Sequence, residues 1–389
     1  MPSQPKKRVR FPYDVLVIGA GPAGIATAYA LEKEGISYQI LEASQQVAST
    51  WDSLYPSLRL NTSRWFSHLP EKPFPLSFGI FPSAKQYHRY VAEYAQERDY
   101  NIRFGVKVVS VKPADPASQA GWLVETDEVI YEVAVVISAT GRFGAPIYPA
   151  IKGLDRFEGT FIHAHDYHSA KPFQDQRVLI IGNGPSGVDI SIDVAQSALR
   201  PVLLAIRTGI KLLPRYPLGL PKHIWIMIAE RLPFDWGYRL MLKVSNLSYQ
   251  HQERYGLKLP MQESSSAVPY RGAELLKAVK AGLVFAVDAP IEIYAKSVLL
   301  ADGATVEVDA MIACTGYQPV CHQYLEIEYA CDDQGWPLRD QSIRPNGRQV
   351  LGHPGLYLVG VFYKGKGAMY NFNVEAQIAA EQIHAYLKA

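Results

Sequence analysis

Two glycine-rich segments have the residue types and spacing of phosphate-binding loops. Gly19-Ala-Gly-Pro-Ala-Gly24 follows the apolar run Asp14–Ile18, and Gly182-Asn-Gly-Pro-Ser-Gly187 follows Arg177–Ile181. In such a loop the first glycine permits a tight turn, the second lets the backbone approach a pyrophosphate, and the third lets the helix pack on the strand. The helix N-terminus adds N–H groups and a positive dipole. The predicted cofactor-binding residues are Gly19, Gly21, Pro22, Ala23 and Gly24 in the first loop, and Gly182, Gly184, Pro185, Ser186 and Gly187 in the second.

The residues that end the second strand of each unit distinguish the two ligands. Glu42 lies 42 − 19 = 23 residues after the first glycine of its loop, where a carboxylate accepts hydrogen bonds from a ribose diol. Arg207 lies 207 − 182 = 25 residues after Gly182, and its guanidinium can pair bidentately with a 2′-phosphate. We therefore assign FAD to the first loop and NADPH to the second.

The bulk composition is that of an ordinary soluble globular chain. It has 389 residues, 48% of them hydrophobic and 20% charged, and a net charge of +2 that gives no footprint for nucleic acid. No run reaches the roughly 18 apolar residues that a membrane span needs. The basic start, Met1–Arg10, is expected to be a frayed polar tail rather than a signal peptide. We expect a cytoplasmic protein with a small-molecule substrate, and a homodimer is left open.

The hydrophobic pattern predicts an α/β fold with two Rossmann-like dinucleotide-binding domains. Residues 1–146 and 312–389 are expected to form the FAD-binding domain, and residues 147–311 an NADPH-binding domain inserted into it. Residues 218–262 look like a helical insertion, for which a lid over the substrate pocket is favoured over contact with a membrane. Helices are predicted over Ile25–Glu34, Lys85–Gln96 and Glu375–Leu387.

Between the two loops lies a segment that resembles a family fingerprint. Phe157-Glu-Gly159-Thr-Phe-Ile-His163-Ala-His-Asp-Tyr167 matches the pattern FxGxxxHxxxY of the class B flavin-dependent monooxygenases, and Ala139-Thr-Gly141 and Cys314-Thr-Gly316 match their paired Thr-Gly segments. Within that class, Phe74–Phe78, Ser83–Tyr87 and Ile206–Arg215 are similar to the YUCCA enzymes, whereas Leu60–Arg64 is closer to flavin-containing monooxygenases. The resemblance runs from about Tyr13 to Ile383.

The resemblance implies further site residues. Asn61 corresponds to an asparagine near the reactive edge of the flavin, and it is the candidate catalytic residue as well as a cofactor contact. Trp51 lies where the family places an aromatic ring beside the isoalloxazine. Val108, Thr315 and Gly316 complete the predicted cofactor contacts. The fingerprint is expected to be a linker between the domains, with a histidine that supports cofactor positioning rather than proton transfer.

The reaction that the resemblance implies is oxygenation of a small molecule. NADPH reduces FAD, dioxygen adds at the flavin C4a position to give a (hydro)peroxyflavin, and the oxygen passes to a soft N or S atom or to a carbonyl carbon, as in YUCCA-like decarboxylation of a 2-oxo acid. The fingerprint ends in Tyr167-His168 rather than the tryptophan typical of Baeyer–Villiger enzymes, which argues against ketone oxidation. The segment Lys364–Asn371 is longer and more basic than the usual glycine-rich turn.

Other functions fit the sequence less well. A flavin disulfide reductase needs a proximal dithiol, but the three cysteines, Cys314, Cys321 and Cys331, form neither CxxC nor CxxxxC. His163, His165 and His168 form HxHxxH without the acidic or cysteine residues that would complete a metal site, so no metal is expected. An NADPH oxidase or flavin reductase without oxygen transfer, and a non-catalytic flavin-binding redox sensor, stay as alternatives.

Overall fold

The computed structural model describes most of the chain, namely residues 6–115, 121–210, 212, 216–233, 236–237, 239–240, 243, 252–259, 272–332, 335–340, 347–361 and 366–389. Within the predicted insertion 218–262, the helix Lys222–Glu230 and the 3₁₀ turn Gln252–Tyr255 belong to the described part. Much of that insertion lies outside it, so its role as a lid stays a prediction.

The chain divides into two compact units, each made of separate stretches. The first comprises residues 1–53, 62–145 and 317–389, and the second comprises 54–61 and 146–316. The sequence placed the later boundary at 312, but strand Ala310–Ala313 pairs in parallel with strands of the second unit and therefore belongs there. Residues 54–61 also belong to the second unit, where the ring of Tyr55 packs 5.5 Å from that of Tyr167.

The first unit is built on a five-stranded parallel sheet. Its strands lie in the order Leu356–Leu358, Val135–Ser138, Val15–Ile18, Tyr38–Glu42 and Ile102–Phe104. Apolar residues fill the strand Val15–Ile18 on both faces, as a sheet covered by helices on both sides requires. The helices of this unit are Pro22–Lys33, Ser49–Asp52, Ala84–Glu97 and Ala368–Lys388.

A second sheet of the first unit was not predicted. It contains the strands Arg8–Arg10, Ile130–Val133, Trp122–Thr126 and Val108–Pro113. The polar tail predicted for the chain start is therefore wrong from Lys6 onward. Arg8–Arg10 pairs in parallel with Ile130–Glu132, and the Lys6 ammonium donates to the Glu125 carboxylate at 2.8 Å.

The second unit repeats the parallel sheet of the first. Its five strands lie in the order Thr160–His163, Ala310–Ala313, Val178–Ile181, Val202–Ile206 and Val284–Asp288, and all neighbours are parallel. A small antiparallel sheet is formed by Pro290–Ile293, Ser297–Leu300 and Thr305–Glu307. Helices with both ends in the described residues are Pro185–Val194, Lys222–Glu230 and Gly272–Lys280. Two short strands, Ala145–Pro146 and Tyr317–Gln318, lie where the chain passes between the units.

In both units the strand before the glycine loop is the central strand of five. The predicted α/β class with two Rossmann-like folds is confirmed. The closing helix begins at Ala368, seven residues before the predicted Glu375, because the pattern of that first stretch is polar and aromatic rather than periodic. None of the described helices is long and apolar enough to cross a membrane.

Candidate functional site

In the first glycine loop a side chain would be strained at Gly19 and would collide with backbone at Gly24. Gly19 has a φ of +99°, and a Cβ there would lie 3.2 Å from the carbonyl oxygen of Ala139. A Cβ on Gly24 would lie only 1.9 Å from the carbonyl oxygen of Gly19. A Cβ on Gly21 would meet no described atom within 4 Å. The middle glycine therefore faces open space, as a backbone that receives a pyrophosphate must.

The helix that follows this loop begins at Pro22, with Gly21 as its N-cap residue. Among the described residues no side chain caps this helix end. Its first N–H groups lack helical partners by geometry, and together with the helix dipole they form an anion-binding site. The open space at Gly21 and the uncapped helix end fit a dinucleotide pyrophosphate.

The second glycine loop repeats this geometry. Gly182 has a φ of +110°, and a Cβ there would lie 2.5 Å from the carbonyl oxygen of Cys314. A Cβ on Gly187 would lie 1.9 Å from the Gly182 carbonyl oxygen, whereas one on Gly184 would meet no described atom within 4 Å. Pro185 opens the following helix, Pro185–Val194, and Ser186 lies in its first turn. The two predicted loops are thus equivalent in backbone and in packing.

Glu42 lies at the end of its strand and is 9% exposed. One carboxylate oxygen accepts a hydrogen bond of 2.7 Å from the amide of Ala20, inside the loop, and the other accepts one of 2.9 Å from the amide of Ser44. Each carboxylate oxygen can accept a second hydrogen bond. Val106 donates its amide to the Glu42 carbonyl, so the start of strand Val108–Pro113 runs beside the Glu42 strand end.

Arg207 follows the strand Val202–Ile206 and is exposed. The side-chain amide of Asn183, in the second glycine loop, donates to the carbonyl of Gly209 at 2.9 Å. The turn that carries Arg207 is therefore tied to the glycine loop. Lys211, a second cation considered from the sequence, lies outside the described residues.

The two Thr-Gly segments flank the two loops. Ala139 packs against Gly19, and Cys314 packs against Gly182. The Tyr324 hydroxyl lies 2.6 Å from the Ser138 hydroxyl and 3.2 Å from that of Thr140. In the second unit Thr315 donates its hydroxyl to the carbonyl of Ile147, and Gly316 has a φ of +92°. Thr315 and Gly316 therefore lie beside the second glycine loop, not in the domain to which the sequence assigned them.

The fingerprint segment is an edge strand and the turn after it, rather than the linker that the resemblance implied. A Cβ on Gly159 would lie 2.2 Å from the carbonyl oxygen of Asp309, so only glycine fits there. Burial lowers the pKa of His163, which disfavours its charged form. Tyr167 is 1% exposed and donates its hydroxyl to Asp193, in the second loop's helix, at 2.6 Å. The fingerprint thus connects the edge strand to the helix that opens at Pro185.

Trp51 and Asn61 lie in different compact units. Trp51 belongs to the short helix Ser49–Asp52 of the first unit, and its ring centroid is 4.6 Å from that of Tyr87. Asn61 is the last residue of the 54–61 stretch assigned to the second unit. Its side-chain oxygen is buried and accepts no hydrogen bond from the described residues. An unpaired buried acceptor is costly unless a ligand or water satisfies it.

The sequence did not single out Glu375 for the site. This fully buried carboxylate, in helix Ala368–Lys388, accepts hydrogen bonds from the amides of Gly360 and Val361 at 2.8 and 2.9 Å. Arg339 donates to it at 2.7 Å. Gly360 is itself close to the first loop, since a Cβ there would lie 2.8 Å from the Cβ of Ala23. No local motif marks Glu375, because its partner Arg339 is 36 residues away in the chain.

The three cysteines are reduced, with Cys314 and Cys321 buried and Cys331 exposed. Burial raises the pKa of Cys314, and it raises the pKa of Cys321 to about 12. Both thiols are therefore protonated at neutral pH and poor nucleophiles. The described residues contain no group of His, Cys, Asp and Glu that could hold a metal ion.

Comparison with known proteins identifies the family. A family model described as pyridine nucleotide-disulphide oxidoreductase matches residues 16–210. A protein of Arabidopsis thaliana named probable indole-3-pyruvate monooxygenase YUCCA1 is 31% identical over 360 residues, which cover 90% of this chain and 85% of that protein. The chain belongs to the YUCCA-like flavin-containing monooxygenase family. The rice indole-3-pyruvate monooxygenase YUCCA1 is 29% identical to this monooxygenase over 395 residues, covering 98% and 94% of the two chains.

Solved structures agree with this monooxygenase assignment. A flavin-containing monooxygenase from Stenotrophomonas maltophilia superposes with a TM-score of 0.72 at 25% identity, covering 98% of this chain and 99% of that one. The fold is shared more widely, with OTEMO in complex with FAD and NADP (TM-score 0.68, 20% identity, 98% and 86% covered) and with a bacillithiol disulfide reductase from Staphylococcus aureus (0.71, 17%, 97% and 99%). The predicted family, enzyme class and fold are confirmed, and FAD and NADPH are the cofactors of this family.

The loop geometry yields a prediction that separates folding from cofactor binding. Gly24→Ala is expected to lower the free energy of unfolding of the apoprotein by about 2–3 kcal/mol, because the new Cβ collides with a backbone carbonyl. Gly21→Ala is expected to change it by about 1 kcal/mol or less, because φ there is −70° and the site is open. Both substitutions are expected to weaken FAD retention. Urea unfolding of the apoproteins and flavin absorbance after desalting measure the two effects.

In the second loop, Gly187→Ala and Gly184→Ala separate folding from cofactor binding in the same way, and the affinity for NADP⁺ is measured in place of FAD retention. If Gly21→Ala bound FAD as tightly as the unsubstituted chain, the first loop would not be the pyrophosphate site.

Proposed function

We propose that this monooxygenase binds FAD at Gly19–Gly24 and NADPH at Gly182–Gly187 and uses them to oxygenate a small molecule. The proposal depends on one observation. The two loops have the same backbone geometry, but different residues stand at the ends of the adjacent strands. Both have an open middle glycine at an uncapped helix start. The strand beside the first loop ends in the buried carboxylate of Glu42, whereas the strand beside the second loop is followed by the exposed Arg207.

The chain's own residues have distinct roles in this proposal. Glu42 keeps the first loop in place through Ala20 and presents its remaining lone pairs to the FAD ribose. Arg207 pairs with the 2′-phosphate of NADPH, and Asn183 holds the Arg207 turn against the loop. Glu375 fixes the Gly360–Val361 turn next to Ala23. Bound FAD, once reduced by NADPH, supplies the activation of dioxygen.

Asn61 is proposed to contact the flavin's reactive edge or the bound substrate. Its buried side-chain oxygen, unpaired within the described structure, supports a ligand contact. Trp51 and Val108 are proposed as further FAD contacts, since each lies on a segment tied to the first loop or to Glu42. Thr315 and Gly316 lie beside the second loop and are proposed as contacts to NADPH.

The relatives and the sequence support two substrate classes. Several are named indole-3-pyruvate monooxygenases, which supports oxidative decarboxylation of a 2-oxo acid. The segment Leu60–Arg64 instead resembles flavin-containing monooxygenases, which supports attack on a soft N or S atom. A product screen by mass spectrometry with 2-oxo acids, amines and sulfides distinguishes the two.

Bound FAD would supply the activation of dioxygen, and the residues around it would exclude water until substrate arrives. We expect stopped-flow absorbance of the reduced, NADP⁺-bound enzyme mixed with dioxygen to show a delay before the spectrum of oxidised FAD returns. When substrate is present, product should form within that delay. Immediate return of oxidised FAD with stoichiometric H₂O₂ would instead identify an NADPH oxidase.

Arg207→Ala is expected to weaken NADPH binding by about tenfold to a hundredfold, because a charge-assisted pair contributes about 1.5–3 kcal/mol. Binding of NADH, which lacks the 2′-phosphate, should change little. Titrations of each nucleotide measure both constants, and Arg156→Ala, at an exposed arginine of the same unit, is the control. If the affinities for NADPH and NADH fell equally, Arg207 would not be the residue that selects NADPH. The main argument against a flavin-binding sensor, which needs no hydride donor, would then be lost as well.

A further inference from the structure

A line of oxidisable aromatic rings runs through the first unit. The line consists of Trp51, Tyr87, Tyr90, Tyr94, Tyr100 and Tyr38, and we refer to it as the aromatic line. Successive ring centroids are 4.6, 6.3, 6.4, 6.1 and 6.5 Å apart. We infer that the aromatic line conducts one-electron oxidising equivalents away from the flavin site to tyrosines that are paired with carboxylates. The inference rests on the proposed FAD site.

The inner end of the line is tied to the first glycine loop. The amide of Ala48 donates to the carbonyl of Ala20 at 3.0 Å, and the amide of Trp51 donates to the carbonyl of Ala48 at 2.9 Å. Trp51 is half-buried. Its indole can give up an electron without losing a proton, so it is the ring that is oxidised most easily where no base is near. A one-electron oxidation of the aromatic line by a flavin bound at the loop therefore begins at Trp51.

The middle of the line lies on one face of helix Ala84–Glu97. Tyr87, Tyr90 and Tyr94 follow the three- and four-residue spacing that aligns side chains along a helix. They are 0%, 1% and 1% exposed. Because electron transfer slows steeply with distance, a series of short steps between touching rings is faster than one long step. Water is excluded from these rings, so the oxidising equivalent is protected from side reactions during the transfer.

Proton acceptors decide where the oxidising equivalent stops. An oxidised phenol is a strong acid, so a tyrosyl radical is stable only where a base takes its proton. In the interior, burial raises the pKa of Tyr87, and the Tyr90 hydroxyl donates to a backbone carbonyl, which is a very poor base. At the outer end the Tyr38 hydroxyl donates to the Glu32 carboxylate at 2.8 Å. The oxidising equivalent therefore passes the inner rings and is stabilised at Tyr38.

A second tyrosine–carboxylate pair offers a parallel exit. The guanidinium carbon of Arg98 lies 4.9 Å from the ring centroids of both Tyr94 and Tyr29. The Tyr29 hydroxyl donates to the carboxylate of Glu71 at 2.8 Å. Glu71 also accepts a hydrogen bond from Arg98 at 2.9 Å, and the hydrogen bonds from Tyr29 and Arg98 lower the pKa of this carboxyl. The Tyr29 pair is therefore a second exit with a weaker base.

Light-excited oxidised flavin is the oxidant that starts the transfer. Trp51 gives one electron to the flavin, each ring of the line then refills its inner neighbour, and Tyr38 gives the last electron. The Tyr38 proton passes to Glu32, which leaves a neutral tyrosyl radical and a neutral carboxylic acid. A cobalt(III) ammine complex in solution takes the electron from the flavin, so the net oxidant is cobalt(III), reduced to cobalt(II).

The test is electron paramagnetic resonance of the FAD-loaded protein, illuminated with blue light without oxygen and with the cobalt(III) complex, then frozen. The unsubstituted protein is expected to give a tyrosyl signal. Tyr87→Phe should lose that signal and instead give the signal of a Trp51 radical, which deuteration of the tryptophan indoles identifies by narrowing it. The double variant Tyr29→Phe/Tyr38→Phe should also lose the stable signal.

Tyr357→Phe, at a buried tyrosine of the same unit outside the line, is the control and should keep the signal. Flavin absorbance and circular dichroism of each variant are recorded first, and Tyr90→Phe replaces Tyr87→Phe if the latter does not fold. An undiminished tyrosyl signal in the Phe variants of the line, or no signal from fully FAD-loaded protein, would overturn this inference alone. Failure of the unsubstituted protein to hold FAD would overturn both this inference and the proposed function.

Discussion

The architecture depends on one steric constraint, the contact between the first and third glycines of each loop. A Cβ on Gly24 or Gly187 would lie 1.9 Å from a carbonyl oxygen of the same loop. With hydrogen atoms there instead, each helix starts directly above the end of the central strand, and its first amides stay uncovered at Gly21 and Gly184. An anion-binding site thus follows from close packing of the backbone, without a charged side chain. Ala139 and Cys314, which precede the two Thr-Gly pairs, pack against the first glycine of each loop.

Side chains then give the two equivalent loops different chemistry. Glu42 is buried and held by two amides, so its position is fixed before any ligand binds. Arg207 is exposed at the end of its strand, where a guanidinium keeps its hydration until a phosphate displaces water. Tyr167 and Glu375 act at a distance from the loops, through Asp193 and through the Gly360 turn. Both groups are deeply buried. Tyr167 binds the last turn of the second loop's helix, and Glu375 holds the Gly360–Val361 turn, which lies against Ala23.

The sequence predicted the elements whose structure depends on residues close together in the chain. The helix Ala84–Glu97 has strong amphipathic periodicity, and the sequence predicted it to within a residue at each end. The strand Arg8–Arg10 was missed because it pairs with Ile130–Glu132, more than 100 residues away in the chain, where no local signal exists. The boundary at 312 was misplaced for the same reason, since pairing with Val178–Ile181 decides it. Glu375 required the fold, because its partners come from distant segments.

The central claim is that each loop binds one dinucleotide, FAD at the first and NADPH at the second. A crystal structure of the chain grown with FAD and NADP⁺ tests it most directly. We expect the FAD pyrophosphate over Gly21, the FAD ribose on Glu42, the NADP⁺ pyrophosphate over Gly184 and the 2′-phosphate against Arg207. Electron density for NADP⁺ with its 2′-phosphate away from Arg207, or for FAD anywhere other than the first loop, would contradict it.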